Sequence, residues 1–304
     1  MIKTLSQALR MDKERFKVPK SVQQAIPIQR IWPDGIFQQG TKFSKTYRFT
    51  DINYYIASKD NKTEMFLDYS ELLNSLDSGI SAKITINNRR INKEEFEKSI
   101  LLPMKEDGLD HYREEYNEML LSKITGTNNS IYQERYLTVS VHKKNIDEAR
   151  TYFARVGTDI ITHLSKLSSI GEELDAEQRL QIFRDFFRAD EPQCFPFDMK
   201  AFAKKGSSFK DWICPQSMEF SKDCFKINER FGRVLYMQDY ASYVKDDMIS
   251  ELCDLSRDLM LSIDILPVPT DEAVREIQNR LLGVETNVTN WQRRQKGTKH
   301  IQVL

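Results

Sequence analysis

The stretch Gly35-Ile-Phe-Gln-Gln-Gly40-Thr41-Lys42 comes closest in this sequence to a phosphate-binding loop. It reproduces the two glycines of the GxxxxGK[ST] pattern, but the lysine and the hydroxyl residue are exchanged. The order matters because the lysine must reach the outer phosphates while the following hydroxyl holds magnesium. A phosphate loop also opens a helix, whereas residues 43–49 alternate as a strand does. We therefore interpret the stretch as a hairpin turn and expect no nucleotide site there.

Other catalytic patterns are missing from the sequence. No apolar run ends in Asp-Glu as a Walker B strand would, and neither GxSxG nor HExxH occurs. The carboxylates near residues 114–118 and 246–254 have the setting of solvated helix faces. Four cysteines form no CxxC pair, and the four histidines lie outside the cysteine span, which favours reduced thiols over a metal site: Cys194, Cys214, Cys224 and Cys253. We expect no catalytic residue, cofactor site or metal site in this chain.

Charge and hydropathy limit the classes of protein to which this chain can belong. The 304 residues contain 45 lysines plus arginines and 45 aspartates plus glutamates. A net charge of zero gives no overall attraction to nucleic acid, so phosphate contacts would need a local patch. No apolar run approaches the roughly 18 residues of a membrane span. Residues 1–20 lack the apolar core of a signal peptide. These features predict a cytoplasmic protein.

The N-terminal segment, residues 1–25, is basic, with Ile2, Leu5 and Leu9 at helical spacing. A short basic amphipathic helix would suit an anionic membrane surface. A frayed, solvated terminus is the alternative.

The elements of a first unit, residues 26–170, follow from periodicity and caps. A turn at 32–35 leads into a strand that places Phe43, Tyr47 and Phe49 on one face. The remaining predicted elements are a helix over 62–76, a strand over 82–91, a helical stretch over 94–123 interrupted near Pro103 and Gly108, a strand over 136–141, and a long helix capped at Asn145. The buried stripe of that helix comprises Ala149, Phe153, Val156, Ile160, Leu164 and Leu167.

The second half of the chain repeats this pattern after a helical, irregular crossing over 171–215 that opens with a capping box at Asp175. Residues 216–290 form the predicted second unit, and 291–304 a tail. Its elements are a hairpin of 218–220 and 224–227, strands over 232–237 and 259–266, a helix over 246–255 and a final helix from Thr270. Val274, Ile277, Leu281, Val284 and Val288 predict a buried face for that last helix.

The expected fold class is α+β, with two βαβ-containing units whose sheets are mixed or antiparallel and flanked by helices. Ferredoxin-like units satisfy this pattern. Ile84-Thr-Ile86 in the first unit echoes Ile263-Asp-Ile265 in the second, which raises the hypothesis of a duplication.

Aromatic and basic side chains supply the candidate interaction residues. Aromatics on an α+β sheet can stack on single-stranded nucleic acid, although core packing explains them as well. The late cluster near Trp291 can touch phosphate or form a charged linker. The candidates are Phe43, Tyr47, Phe49, Tyr54, Tyr55, Arg293 and Arg294.

Several segments, distributed from Ala25 to Gln295, together resemble one protein family. They are Asp34-Gly-Ile-Phe37, Phe43-Ser-Lys-Thr-Tyr-Arg-Phe49 with Asp51-Ile-Asn53, Ile84-Thr-Ile-Asn-Asn-Arg-Arg-Ile91, Leu101-Leu-Pro-Met104, Asp107-Gly-Leu-Asp110, Tyr112-Arg-Glu-Glu-Tyr-Asn117, Glu285-Thr-Asn-Val288 and Asn290-Trp-Gln292. They are similar to the N-terminal region of the conjugative type IV secretion ATPases, the CagE/TrbE/VirB class. The likeness is greatest to members encoded on integrative conjugative elements of Gram-positive bacteria.

The resemblance implies docking rather than catalysis for this region. In the family, ATP and magnesium are bound by a C-terminal domain with two ATPase motifs, and no position of this chain matches them. The similarity ends near Gln295, which a truncated gene, a frameshift, a split gene or a trimmed protein would explain. The family's N-terminal region lies at the cytoplasmic membrane face, contacts a small membrane subunit of the DNA-transfer channel, and helps the ATPase assemble as a hexamer. A docking and assembly module is therefore the expected function, and a module that binds single-stranded nucleic acid is the alternative.

Overall fold

The computed structural model describes residues 19–52, 54, 56–90, 101–126, 131–189, 197–239, 247–255 and 257–284. The chain divides into two compact units. Unit 1 comprises the residues up to Gly40 together with Leu174–Val244, and unit 2 comprises Thr41–Glu173 together with the residues from Lys245 onward. Unit 1 is thus interrupted in sequence by most of unit 2.

Helices and strands of the described residues are numbered in chain order. The strands are β1 (Arg30–Ile31), β2 (Phe37–Gln39), β3 (Lys42–Phe49), β4 (Ile80–Arg90), β5 (Ile131–His142), β6 (Gly171–Glu173), β7 (Met218–Phe220), β8 (Phe225–Ile227), β9 (Arg230–Gly232) and β10 (Leu259–Ile265). The helices are α1 (Val22–Ala25), α2 (Lys59–Asn74), α3 (Asp110–Gly126), α4 (Ile146–Lys166), α5 (Ala176–Phe187), α6 (Met199–Lys205), α7 (Phe209–Ile213), α8 (Asp247–Cys253) and α9 (270–284). The protein belongs to the α+β class, as the sequence predicts.

Unit 2 is built on an antiparallel sheet with the strand order β6-β3-β5-β4-β10. Because β3 and β4 both run antiparallel to β5, which lies between them, β3-α2-β4 is a split βαβ unit. The same reasoning applies to β5-α4-β6 around β3. This connectivity is compatible with a ferredoxin-like unit, to which β10 adds a fifth strand beside β4.

One face of this sheet is apolar. The register aligns Tyr47 with Leu137, and Leu137 with Ile84. Since side chains alternate between faces, these residues share one face with Ile263, which pairs with Ile84. The long helix α4 packs over this face with its predicted stripe fully buried: Ala149, Phe153, Val156, Ile160, Leu164 and the C-cap residue Leu167. Asn145 caps α4 as predicted, accepting a hydrogen bond from the Glu148 amide at 2.9 Å.

Gly157 lets α4 approach β3 closely. A Cβ atom at this position would lie 2.5 Å from Glu173 Oε1 and 2.9 Å from the Tyr47 hydroxyl oxygen. Beneath it, the largely buried Lys45 side chain donates to Glu173 at 2.5 Å. The Glu173 side chain can shift to admit a methyl group at Gly157, but Tyr47 is fully buried, so either its ring or the helix would have to move.

Gly157→Ala is expected to destabilise unit 2 by about 1–3 kcal/mol, because overpacking outweighs the gain in helix propensity. Urea unfolding followed by circular dichroism measures the change. Gly283→Ala is the matched control, since no described atom lies within 4 Å of a Cβ there. The control should be neutral or stabilising, by up to about 1 kcal/mol. Equal effects of the two substitutions would contradict this account of the packing.

The start of α3 is organised by an arginine between two carboxylates. Arg113 donates to both Asp107 oxygens at 2.5 Å and to Asp110 at 2.6 Å. Asp110 also accepts from the Lys105 and Glu106 amides at 3.0 and 2.8 Å. Residues 101–109 are not helical, so the predicted helical stretch over 94–123 is present only from Asp110, while residues 91–100 lie outside the described chain.

Hydrogen bonds from Arg113 lower the pKa of Asp107 to about 2. Because this pKa is depressed in the folded state, the contribution of Asp107 to stability is complete above the ordinary carboxyl pKa of about 4. It is lost as the pH falls through 2. A carboxyl-detected NMR titration should place the Asp107 midpoint near 2, and Arg113→Gln should return it toward 4. A wild-type midpoint near 4 would show that the Arg113 pairing does not persist in solution.

Unit 1 packs around α5. Its core cluster comprises Ile26, Ile28, Phe37, Ala176, Leu180, Phe197, Trp212 and Ile213. Arg179, which is buried, donates to the Gly35 carbonyl at 2.6 Å, and its guanidinium lies 4.0 Å from the Phe37 ring centre. Gly35 has a φ of 76° at the end of the predicted turn, and a Cβ there would lie 2.0 Å from the Leu174 carbonyl oxygen. The predicted capping box at Asp175 is present at the start of α5.

The observed division of the second half differs from the expected one. The predicted hairpin is present as β7 and β8, which with β9 form a three-stranded antiparallel sheet in unit 1. β10, by contrast, pairs with β4 in unit 2, so residues 216–290 do not form a unit of their own. The echoing segments are paired directly, with Ile263 opposite Ile84. Local periodicity indicates a strand, but only tertiary packing decides which strand it joins.

Two elements of the second half depart from prediction in detail. β9 ends at Gly232, and residues 233–238 belong to neither a helix nor a strand, although Val234-Leu-Tyr236 has strand-forming composition. α9 begins at residue 270 as predicted. Its apolar stripe is exposed rather than buried, however, with Ile277 58% and Leu281 57% accessible. An apolar period shows that a helix has an apolar face and does not show what covers it.

Candidate interaction surfaces

The candidate interaction residues occupy different environments. Phe43 and Tyr47 lie on the helix-covered face of β3 with 2% and 0% exposure, so neither ring can stack on a nucleobase. Phe49 and Tyr54 are partly buried and line a groove described below. Tyr55, Arg293 and Arg294 lie outside the described residues. Of the four described aromatics, Phe49 and Tyr54 thus share a groove, whereas Phe43 and Tyr47 are in the core and belong to no stacking surface.

A groove of about 440 Å³ lies in unit 2 between α2 and the apolar face of the sheet. We call it the α2 groove. The sheet contributes Phe49, Leu137, Ile84, Ile86 and Ile263, α2 contributes Met65, Phe66, Tyr69, Leu72 and Leu73, and the end of α4 contributes Leu164 and Leu167. The groove is open, since Phe66 is 64% exposed and Ile263 37%. Burial raises the pKa of the Tyr69 hydroxyl, so this side chain stays neutral at physiological pH.

A chain of hydrogen bonds closes one end of the α2 groove. Arg135 donates to Asp51 at 2.8 Å and also contacts Gln133. Gln133 donates to the side-chain oxygen of Asn88 at 2.8 Å, and the Asn88 amide donates to the carbonyl of Cys253 at the end of α8. This chain connects the segment after β3 to β5, β4 and α8. It therefore fixes the segment that leads into β10.

Asn88→Asp is expected to weaken this connection, because a carboxylate oxygen would face the Cys253 carbonyl at a site that is only 1% exposed. The loss of a buried donor costs roughly 1–3 kcal/mol. Hydrogen exchange of the β10 amides measures the effect, which should appear as faster exchange there.

Asn74→Asp, the same change at an exposed position at the end of α2, should alter stability by less than about 0.5 kcal/mol. Unchanged β10 exchange in Asn88→Asp would mean that the side chain does not anchor α8.

A second apolar surface lies in unit 1 around β9, and we call it the β9 surface. Its side chains are Phe231 at 74%, Val234 at 76%, Leu235 at 83% and Tyr236 at 81% exposure. Gly232 supports β9, since a Cβ there would lie 2.2 Å from the Phe225 ring that faces it across the strand pair. Large contiguous apolar patches are uncommon on monomeric proteins and mark interaction sites.

The structure also shows the surroundings of the phosphate-loop-like stretch and of the cysteines. Residues 37–39 and 42–49 are strands, so the stretch from Gly35 to Lys42 does not open a helix. The described cysteines Cys214, Cys224 and Cys253 are free thiols. Within the described ranges, no three His, Cys, Asp or Glu side chains are grouped to hold a metal ion. Among the described helices, none is both long and apolar enough to cross a membrane.

Sequence comparison adds no assignment, since the chain matches no protein-family model and no curated protein. The likeness to the type IV secretion ATPases therefore stays a prediction that rests on the segments quoted above.

Sequence reasoning missed the polar residues that close the α2 groove. Asn88 and Gln133 come from different strands and meet only through the β4–β5 register. The apolar surfaces had a detectable signal, because Val234-Leu-Tyr236 and the α9 stripe are apolar runs whose covering element is not evident in the sequence.

Proposed function

We propose that this chain is a docking and assembly module of a conjugative type IV secretion ATPase, peripheral to the cytoplasmic face of the membrane. The observation that carries the proposal is the β9 surface, whose four bulky side chains are each 74–83% exposed. Covering them removes apolar area from water, which drives protein association. The family likeness suggests the partner, a small membrane subunit of the channel.

The geometry of the β9 surface supports a protein partner. Residues 233–238 follow the edge strand β9 and belong to neither a helix nor a strand, and a sheet edge can pair with a strand of a partner protein. The Lys226 ammonium lies 5.6 Å from the centre of the Phe231 ring, so a charged side chain borders the β9 surface. An apolar centre with a polar rim is the usual anatomy of an interface.

Nucleic-acid binding is the weaker alternative. Its two central candidates, Phe43 and Tyr47, are packed in the core of unit 2. The chain has no net positive charge to attract phosphate.

Leu235→Glu is expected to reduce affinity for the small membrane subunit at least about tenfold, as loss of a central apolar contact does. The measurement is retention of the detergent-solubilised subunit by the immobilised chain, over a series of concentrations. Gln238→Glu is the matched control, since it adds the same charge at a neighbouring exposed position. Equal retention by both variants would exclude the β9 surface as the docking site.

Two further measurements bear on the proposal as a whole. The chain should bind ATP no more tightly than the millimolar range, and micromolar ATP binding would contradict a module without a nucleotide site. Co-sedimentation with anionic vesicles tests the peripheral location. Sedimentation that persists in Leu235→Glu but is lost on deleting residues 1–18 would assign membrane contact to the basic N-terminal segment.

A further inference from the structure

Unit 2 carries two apolar faces that match each other and are both exposed. One is the stripe of α9, in which Val274 is 46%, Ile277 58%, Leu281 57% and Val284 60% accessible. The other is the outer part of the apolar sheet face, where β10 extends the sheet beyond the strands that α4 covers. On β10, the residues of that face are Leu259, Leu261, Ile263 and Ile265, by their register opposite Asn88, Ile86, Ile84 and Ala82.

This outer part of the sheet has the shape and chemistry to receive a helix. Its centre, Ile84, Ile86 and Ile263, forms the open floor of the α2 groove. Tyr69 and Phe66 of α2 stand beside it with 37% and 64% exposure. A helix laid along β10 would face the floor below and α2 at its side. A helix with a single apolar stripe is the element that buries such a face.

The linker between β10 and α9 opposes docking of α9 on its own sheet. It consists of Leu266-Pro267-Val268-Pro269. The prolines fix φ in the extended range, and the residue before each proline is restricted to extended conformations too. All four residues therefore favour a polyproline-like segment of roughly 12 Å, which carries α9 outward instead of turning it back. In the structure α9 stands with its stripe exposed.

We propose that the occupant of the groove is α9 of a second copy of this chain, so that two copies exchange their C-terminal helices reciprocally. The inference makes the assembly role in the proposed function more specific, and it rests on that role and not on docking to the channel subunit. α9 of one copy places Ile277 and Leu281 over Ile84 and Ile263 of the other, and the symmetric contact repeats the same burial.

Reciprocal exchange accounts for the area that association needs. Stable interfaces bury roughly 1,200–2,000 Å² in total. A helix of this length is roughly 22 Å long, and a single helix-in-groove contact gives only part of that area. Two equivalent contacts related by a two-fold axis double it. An isologous arrangement of this kind also closes, so this contact joins the copies in pairs.

The test is the mass of the full chain by size-exclusion chromatography with light scattering at 1–100 µM. Wild-type protein should show a concentration-dependent dimer, and Leu281→Glu should shift it to monomer with at least about tenfold weaker self-association. Asn279→Glu, on the opposite side of α9, adds the same charge and should leave the dimer intact. A wild-type chain that is monomeric throughout, or a dimer unchanged by Leu281→Glu, overturns the proposal.

A mixing experiment separates exchange from simple contact between two α9 helices. Ile263→Glu damages the groove but keeps α9, whereas Leu281→Glu damages α9 but keeps the groove. Tagged Leu281→Glu should therefore retain untagged Ile263→Glu on affinity resin through the one intact contact, more weakly than wild-type copies retain each other, while neither variant retains itself. Absence of this complementation, with both variants folded by circular dichroism, contradicts exchange. If Ile263→Glu does not fold, Phe66→Glu on the exposed rim of the groove replaces it.

These results are independent of the channel subunit. A dimer that forms while the β9 surface binds no subunit would overturn the proposed docking function and leave helix exchange standing. Binding of the channel subunit by a strictly monomeric chain would overturn helix exchange and leave the proposed docking function standing.

Discussion

The close packing of α4 on β3 at Gly157 is the contact on which unit 2 depends. It allows the helix to lie directly over Tyr47 and over the ion pair of Lys45 with Glu173. Because α4 is held at that end of the sheet, only its final turn, at Leu164 and Leu167, reaches the α2 groove. Cover for the rest of the sheet must come from α2 and from elements further along the chain.

Because β10 is a fifth strand, the helices do not cover the whole apolar face of the sheet. A four-stranded sheet of this connectivity is covered by two helices, and β10 adds a row of apolar side chains beyond them. The far end of the row is closed by the polar chain from Asp51 through Arg135 and Gln133 to Asn88. The middle remains open beside α2. An opening that is polar at one end and apolar along its floor favours an elongated apolar occupant with a defined direction.

Much of the secondary structure could be predicted from the sequence because its signals are local. Asn145 and Asp175 mark helix starts by hydrogen bonds within three residues, and Pro267 ends a strongly apolar strand. The pairing of β10 with β4 could not be predicted, since nothing local distinguishes an added strand from the start of a new sheet. Gly157 shows the same limit, because a glycine within a helix indicates close packing but not the partner.

The candidate surfaces likewise include residues that have a local sequence signal and residues that have none. Leu235 and Leu281 belong to apolar runs that the sequence displays, and the prediction failed only on whether these side chains are covered. Arg135, Asn88 and Gln133 have no local pattern, and their arrangement exists only after β4 and β5 have aligned. The aromatic residues show the opposite error. Phe43 and Tyr47 are of the residue type that binds nucleobases, but both are buried in the core.

The position of β10 in the sheet has a consequence for how the chain is made. Asn88 and Cys253, which the polar chain joins, are 165 residues apart, and closing so long a loop is slow compared with forming local structure. On the ribosome, β3 to β6 are complete long before β10 emerges, so the outer edge of β4 is unpaired while the second part of unit 1 is synthesised. During that interval β4 is an open edge strand, the part of a sheet most prone to pairing with another chain. Lys83 of β4, whose ammonium lies 3.3 Å from Asp264 of β10 in the folded sheet, places a positive charge on this edge, which disfavours edge-to-edge association of nascent copies until β10 arrives.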